Sequence, residues 1–246
     1  MALVKSDLEK LKHMHRIVLN LLKEEEPGIL LDAPAGNGAL ANCLSKIGFQ
    51  VHCCDLYPEN FQVPHLTCQR VDLNRKLPYA NDYFQYIICL ESIQYLENLY
   101  HLIREFSRIL RKEGMLIISM PNVLNIQSRF RFLIRGDRRF FKPRSQLPTT
   151  DAEWAKITIN PVSFREIELA LGRYKYFITT VLTLKIKPTI YLFFPLIWFI
   201  RIFTWIDNLF SKDKRKKLFY QTLISKEILL GEKLIIVAQK ISKTLD

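Results

Sequence analysis

The chain has 246 residues, 49% hydrophobic and 24% charged, which excludes a disordered or fibrous protein and allows one substantial core. Lys and Arg number 36 against 24 Asp and Glu, a net charge of +12 that favours polyanionic contacts (nucleic acid, anionic lipid or a phosphorylated substrate) without choosing among them. The five cysteines, Cys43, Cys53, Cys54, Cys68 and Cys89, form no CxxC pair and sit mostly in apolar runs, so reduced, packed thiols are expected and a zinc site is not.

At the N-terminus, Lys5, Asp7, Glu9, Lys10 and Lys12 interrupt any apolar run, which argues against a signal peptide. Leu8, Leu11, Met14, Val18, Leu21 and Leu22 recur at helical spacing after a cap at Ser6; His13 and His15 on or beside this helix read as solvated or packed. A short apolar run follows Pro27 (28–33, GILLDA) and predicts a buried strand. A helix is predicted over 39–46, stopped near Gly48, then strands over 50–55, 66–72 and 84–90. Residues 99–111 form an amphipathic helix with Leu102, Ile103, Phe106, Ile109 and Leu110 on one face, closed by Glu113-Gly114; a fifth strand spans 115–120 and ends at Pro121. Apolar strands alternating with helices imply a parallel sheet covered on both faces.

The second half differs in character. Residues 123–144 are rich in arginine and aromatics, with Arg129, Arg131, Arg135, Arg138, Arg139, Lys142 and Arg144 interleaved with Phe130, Phe132, Phe140 and Phe141. A short helix over 163–171 starts with Ser163 and Glu166 in capping-box spacing. A β-branched run over 176–187 reads as a strand. A strongly apolar stretch (189–205) and a basic run (212–217) precede a last strand over 233–239.

The segment most informative about chemistry is Asp32-Ala33-Pro34-Ala35-Gly36-Asn37-Gly38, which joins the first strand to the first helix. Ligands of open α/β sheets bind at the carboxyl ends of strands; small residues there let the backbone approach them, and a helix N-terminus offers free N–H groups. The order of residues is neither G-x-G-x-x-G nor a P-loop. Asp55 ends the second strand, where a carboxylate is placed to accept hydrogen bonds from ribose hydroxyls.

LLDAPAGNGAL resembles motif I of class I S-adenosylmethionine-dependent methyltransferases, including the type 11 and quinone-biosynthetic members. Asp55 is similar to their ribose-binding acid, Val71-Asp72-Leu73 to the segment facing adenine, residues 77–93 to their LPFPDNSFDLV stretch and following strand, and EGMLIISMPN (113–122) to the strand after it. The likeness is close over residues 27–125 and looser to Val237. It implies a Rossmann-like, doubly wound, mostly parallel α/β sheet with S-adenosylmethionine as cofactor. The cofactor's amino-acid end would lie on Asp32, Ala33, Pro34, Ala35, Gly36 and Gly38, its ribose on Asp55 and its adenine by Asp72, with Leu56, Leu73 and Leu90 completing the set. The sequence departs from the family pattern at Pro34, at Gln85, and at Gln94-Tyr95, where many relatives carry Glu-His. A metal or His base is therefore not expected there, and His101 reads as a surface residue of its helix. Glu91 and Tyr95, near the end of the fourth strand, are the candidate catalytic or positioning groups.

The resemblance also implies an acceptor site built after the fifth strand, where arginines suit phosphate or carboxylate groups, while a solvated amphipathic helix explains them equally well. Asn160-Pro161-Val162 only imitates the Asn-Pro-Pro-Tyr signature. For residues 189–217 three readings stand: an interfacial segment on an anionic membrane, a core or dimer element, or a span. The expected organisation is a single domain: an N-terminal helix (1–26), a cofactor-binding core (27–122), an acceptor region with a late strand (123–187), an apolar and basic insertion (188–217), and a final strand and tail (218–246). The resemblance to members with a late apolar insertion implies a small-molecule, glycan or lipid-linked acceptor, and the protein is expected in the cytoplasm or peripherally on the inner face of a membrane. Nucleic acid is disfavoured, and the oligomeric state is open. A non-catalytic, membrane-peripheral or partner-binding member of the fold and an RNA methyltransferase are the alternatives.

Overall fold

The structure is a computed structural model that describes residues 8–9, 11–138, 140–141, 147–154, 157–184, 186, 188–210 and 212–241. The Ser6 cap, Lys5, Asp7, Lys10, Arg139, Lys142, Arg144, Lys185 and Lys187 lie outside the described residues.

Seven strands form one sheet: β1 (Ile29–Asp32), β2 (Gln50–Asp55), β3 (Cys68–Arg70), β4 (Phe84–Cys89), β5 (Leu110–Pro121), β6 (Tyr176–Thr183) and β7 (Lys233–Lys240), in the order β3-β2-β1-β4-β5-β7-β6. The first five are parallel, and β7 runs antiparallel between β5 and β6. This is the doubly wound, mostly parallel sheet that the sequence predicts. From β1 the chain winds outward through β2 and β3, then returns to place β4 on the other flank of β1. The winding direction thus reverses between β1 and β4, and a crevice opens there beyond the strands' carboxyl ends.

Alternation along the strands sorts the core. Leu30, Ile88 and Ile235 face α1 (His13–Lys23) and α2 (Ala39–Lys46), burying Val18, Leu22, Leu40 and Leu44. Their neighbours Leu31, Ile87 and Ile236 face the opposite side, against Leu102 and Phe106 of α3 (Leu99–Ile109). A helix over Ile126–Arg135 (α4) follows β5, and Ile167 and Leu171 of α5 (Phe164–Arg173) join the α3 side of the core. The Ser163–Glu166 capping box at the start of α5 is formed as its spacing predicts. Between β6 and β7 the chain forms a 3₁₀ turn (Pro188–Phe193), α6 (Phe194–Phe210), α7 (Lys214–Leu223) and α8 (Lys226–Leu230). Ile126, Ile190, Ile197 and Leu229 form a third, smaller core that joins α4, the turn, α6 and α8.

Four predicted boundaries move by several residues. The N-terminal helix does not run unbroken from Leu8: α1 begins at His13, after an extended Lys12. α3 stops at Ile109, and Leu110 already pairs with Phe84, so Glu113-Gly114 does not close a helix. Those two residues form an irregularity within β5, with Glu113 at φ +62°, and Leu110 O and Ser107 O accept from Lys240 Nζ. β3 shrinks to three residues at the sheet edge, where only β2 pairs with it. β6 ends at Thr183 rather than 187, because β7, with which it pairs, begins at Lys233 and leaves little strand to pair beyond Thr183; Lys185 and Lys187 lie outside the described residues.

Candidate cofactor cleft

Asp32 ends β1, in register with Cys53 of β2 and Ile88 of β4. It is 3% exposed, and no hydrogen bond or ion pair among the described residues reaches its carboxyl. Burial first, and the nearby Asp55 second, push its pKa up to about 7. A buried carboxyl held this way accommodates a cation, because a positive group arriving beside it restores the favoured charged state.

The chain then crosses a cis Ala33–Pro34 bond. Ala33 N donates to Ile88 O and Ala35 N to Cys54 O, both at 2.9 Å, so the turn is stitched to both neighbouring strands. Gly36 (φ +55°) and Gly38 (φ +81°) take the left-handed conformation that glycine adopts without strain. A Cβ on Gly36 would meet nothing within 4 Å, so this backbone borders open space. A Cβ on Gly38 would stand 2.5 Å from the Phe61 ring, so the turn closes there against the segment after β2.

Asp55 faces this loop. Its Oδ2 accepts from Gly36 N and its Oδ1 from Tyr57 N, each at 2.9 Å, leaving further lone pairs for a diol. Leu56 is exposed beside it, while Leu73 and Leu90 are nearly buried. Asp72 folds back on its own turn: Oδ1 accepts from Asn74 N, and Oδ2 lies 3.3 Å from Arg75 Nε.

Past β4, Glu91 sits at φ +55°, an uncommon conformation for a residue with a side chain. Its N–H donates to Ser119 Oγ at 2.8 Å, and its Oε2 is ion-paired with Lys233 Nζ. The other oxygen, Oε1, is buried without a partner. Gln94, 4% exposed, donates to Glu91 O, and its main-chain carbonyl accepts from Ile159 and Asn160 N–H groups. Tyr95 closes a 3₁₀ turn (Ile93–Tyr95), its N–H donating to Ser92 O. His101 lies on α3 with its Nδ1 3.0 Å from Arg104.

Sequence reasoning missed the partners of Glu91. Lys233 lies 142 positions away and left no local signal, whereas Ser119, a lone hydroxyl in an apolar strand, was a visible anomaly. It also missed Asn122, whose amide donates to Ile228 O and Gly231 O and whose oxygen accepts from Leu124 N, tying the end of β5 to α8.

Three of the described arginines after β5 are engaged within the fold, while Arg135 stays exposed. Arg129 donates to Leu124 O and Leu223 O, Arg131 grips Asp137 through two bonds, and Arg138 donates to Pro161 O. Asn160 likewise donates to Leu96 O. Burial pushes the Cys89 thiol up to about 12 and the Cys68 thiol up to about 11, so neither is a ready nucleophile. Among the described residues no three His, Cys, Asp or Glu side chains gather as a metal ligand set. A cavity of about 1280 Å³ lies between α5, β6 and α7, lined by Arg165, Leu169, Tyr176, Phe219 and Tyr220. β4, β5 and β7 stand between that sheet edge and β1, so it is separate from the carboxyl-end cleft.

A doubly wound sheet with a small-residue turn and two acids at its switch point defines the class of α/β protein whose crevice at the strand ends is suited to a ribonucleoside-like ligand. Residues 7–151 match the family model described as methyltransferase domain, and the chain belongs to that family. The family's methyl donor is S-adenosylmethionine. No curated protein matches the chain. Solved structures share its fold. One is a SAM-dependent methyltransferase from Archaeoglobus fulgidus (TM-score 0.55, 11% identity, 96% of this chain and 100% of that one). Another is a putative methyltransferase from Bacillus halodurans (0.56, 14%, 92% and 98%). A third is an S-adenosylmethionine-dependent methyltransferase from Mesorhizobium loti (0.53, 14%, 91% and 96%).

Proposed function

We propose that the chain transfers a methyl group from S-adenosylmethionine to a small-molecule, glycan or lipid-linked acceptor. The observation that carries this reading is the meeting of Asp32, Asp55 and the Gly36 turn at the switch point. The bound cofactor supplies a methyl group already activated on a sulfonium. Asp32 is suited to its ammonium group, and the Asp55 lone pairs not taken by Gly36 and Tyr57 are suited to ribose hydroxyls. Leu56, exposed beside Asp55, offers apolar surface to the base, Leu73 and Leu90 only their small exposed fractions, and Asp72 a carboxylate for its amino group. With an activated donor, the protein's remaining task is orientation and control of the acceptor's proton. Glu91 and Tyr95 stand closest to that task. Because Glu91 is committed to Lys233, we assign it to positioning rather than to open proton abstraction. The anchoring of Glu91 and Gln94 also favours a second reading, a cofactor-binding protein without turnover. RNA methylation loses support, since Arg129, Arg131 and Arg138 are engaged within the fold.

S-adenosylhomocysteine should raise the melting temperature, since it binds the folded state. Asp55→Ala should lose most of that shift, a weakening of roughly 1–3 kcal/mol. An unaltered shift in the variant removes Asp55 from the site. Transfer of labelled methyl groups into lipid or glycan extracts separates the enzyme from the non-catalytic reading.

A further inference from the structure

α6 presents an unusual surface. Pro195, Trp198, Phe199, Ile202, Trp205, Ile206 and Leu209 recur at i, i+3, i+4, i+7 spacing, so one stripe of the helix carries no charged or polar side chain. Trp198, Phe199 and Trp205 are each more than 60% exposed, and of the helix only Ile197 is buried. Its neighbour α4, joined to it through the Ile197 cluster, adds exposed apolar side chains of its own. Phe130 of α4 meets Phe193 edge-on at 5.3 Å, and Leu133 and Ile134, one turn further along α4, are 81% and 64% exposed. An apolar surface of this extent marks an interaction site.

Its fringe is basic. Arg135, Arg201 and Lys212 are exposed, while Lys216 is ion-paired with Asp207 at 3.7 Å, Arg131 holds Asp137, and Asp213 accepts from Lys216 N. A second copy seated on the same stripe would bring like charges together, whereas an anionic surface complements them. Spanning is excluded by length: a helix of 17 residues reaches only about 26 Å, shorter than a hydrocarbon core of about 30 Å, with Arg201 near its middle. No helix among the described residues is long and apolar enough to cross a membrane.

We infer that α4, the Pro188–Phe193 turn and α6 form a surface that lies on an anionic lipid bilayer, with the apolar stripe in the interface and the basic fringe at the head groups. Trp198 and Trp205 suit the boundary, and Arg201 reaches back to water along its aliphatic stem. α4 starts directly after β5, at the edge of the cofactor cleft, so docking brings the cleft's acceptor side to the membrane. This inference stands without methyl transfer; if both hold, the acceptor is lipid-linked.

The test is co-sedimentation of the full chain with phosphatidylcholine vesicles, with and without phosphatidylglycerol, in low and high salt. S-adenosylhomocysteine binding, measured in parallel, reports on the cleft separately. The expected result is binding to the anionic vesicles that weakens with salt and is released by carbonate. Trp198→Ser with Phe199→Ser should lower the partition coefficient by about tenfold or more while cofactor binding is retained, because both side chains are exposed and outside the cleft. The inference is overturned by wild-type protein that ignores anionic vesicles, by retention after carbonate, or by a dimer that the double variant dissolves.

Discussion

Replacing Asp32 with Asn isolates the group on which the cleft's electrostatics turn. Asp32 is 3% exposed, and its pKa stands at about 7 against an ordinary 3.8. That displacement corresponds to at most about 4 kcal/mol of disfavour for the charged form in the ligand-free fold. The folded chain holds the proton up to about pH 7, while the unfolded chain releases it near 3.8. Unfolding between these values therefore releases a proton, so this group makes the ligand-free protein progressively less stable as pH rises from about 4 to about 7, with no further change above. Asp32→Asn should flatten that part of the urea-denaturation profile and make the ligand-free protein more stable at pH 8. The same change should weaken S-adenosylhomocysteine, whose ammonium loses its counter-charge. Binding to the wild type at pH 6 should release about one proton as Asp32 ionises, and almost none at pH 8, as read by calorimetry in buffers of different ionisation enthalpy. Equal affinity and equal proton release in the two proteins would refute the placement of the ligand's cation at Asp32.

Two further changes probe the frame around the cleft. Glu105 is buried, accepts from Leu77 N at 2.9 Å and is gripped by Arg108, which also donates to Leu77 O and Tyr79 O. Glu105→Ala should cost about 2–3 kcal/mol in urea denaturation by leaving the Leu77 N–H without its acceptor and the Arg108 charge without its counter-ion. The Arg108 bonds, the largest influence, hold the Glu105 carboxyl below its usual range, so its stabilisation is present above that range and is lost as pH falls through the lowered value; the variant should lack this acid-limb loss. Asn122→Ala should cost about 1–3 kcal/mol by stranding the Ile228 and Gly231 carbonyls, with faster hydrogen exchange in α8 as its local signature.

How much of this was legible in the sequence depends on the range over which each feature is determined. β2 and α2 fall on their predicted bounds because local signals define them: an apolar run after Gly48 for β2, a left-handed Gly38 opening α2 and Gly48 beyond its end. The doubly wound sheet follows from alternation of element types, which needs no long-range knowledge. The approach of Asp55 to the Gly36 turn was also legible, because acids at the ends of adjacent parallel strands share one sheet edge. What escaped was set by partners distant in sequence. Arg129, Arg131 and Arg138 read as available for phosphate only while Leu223, Pro161 and the Asp137 grip are unknown, and the tie of Glu91 to Lys233, which fixes it as a positioning group in our proposal, left no local signal. The end of α3 was misjudged for the same reason: Glu113-Gly114 carries a helix-stop pattern, yet pairing of Leu110 with Phe84 draws the chain into the sheet several residues earlier. Tertiary partners override local propensity most where a polar side chain has more than one use. The exposed stripe of α6 is the converse case. Its periodicity was visible in the sequence, but only the fold shows that the buried side of the helix is confined to a small cluster around Ile197 while Trp198, Phe199 and Trp205 remain uncovered. Ile197 packs with Ile126, Ile190 and Leu229 on the inner side of α6, so the bilayer we infer would cover the outer stripe without disturbing the contact that anchors the helix.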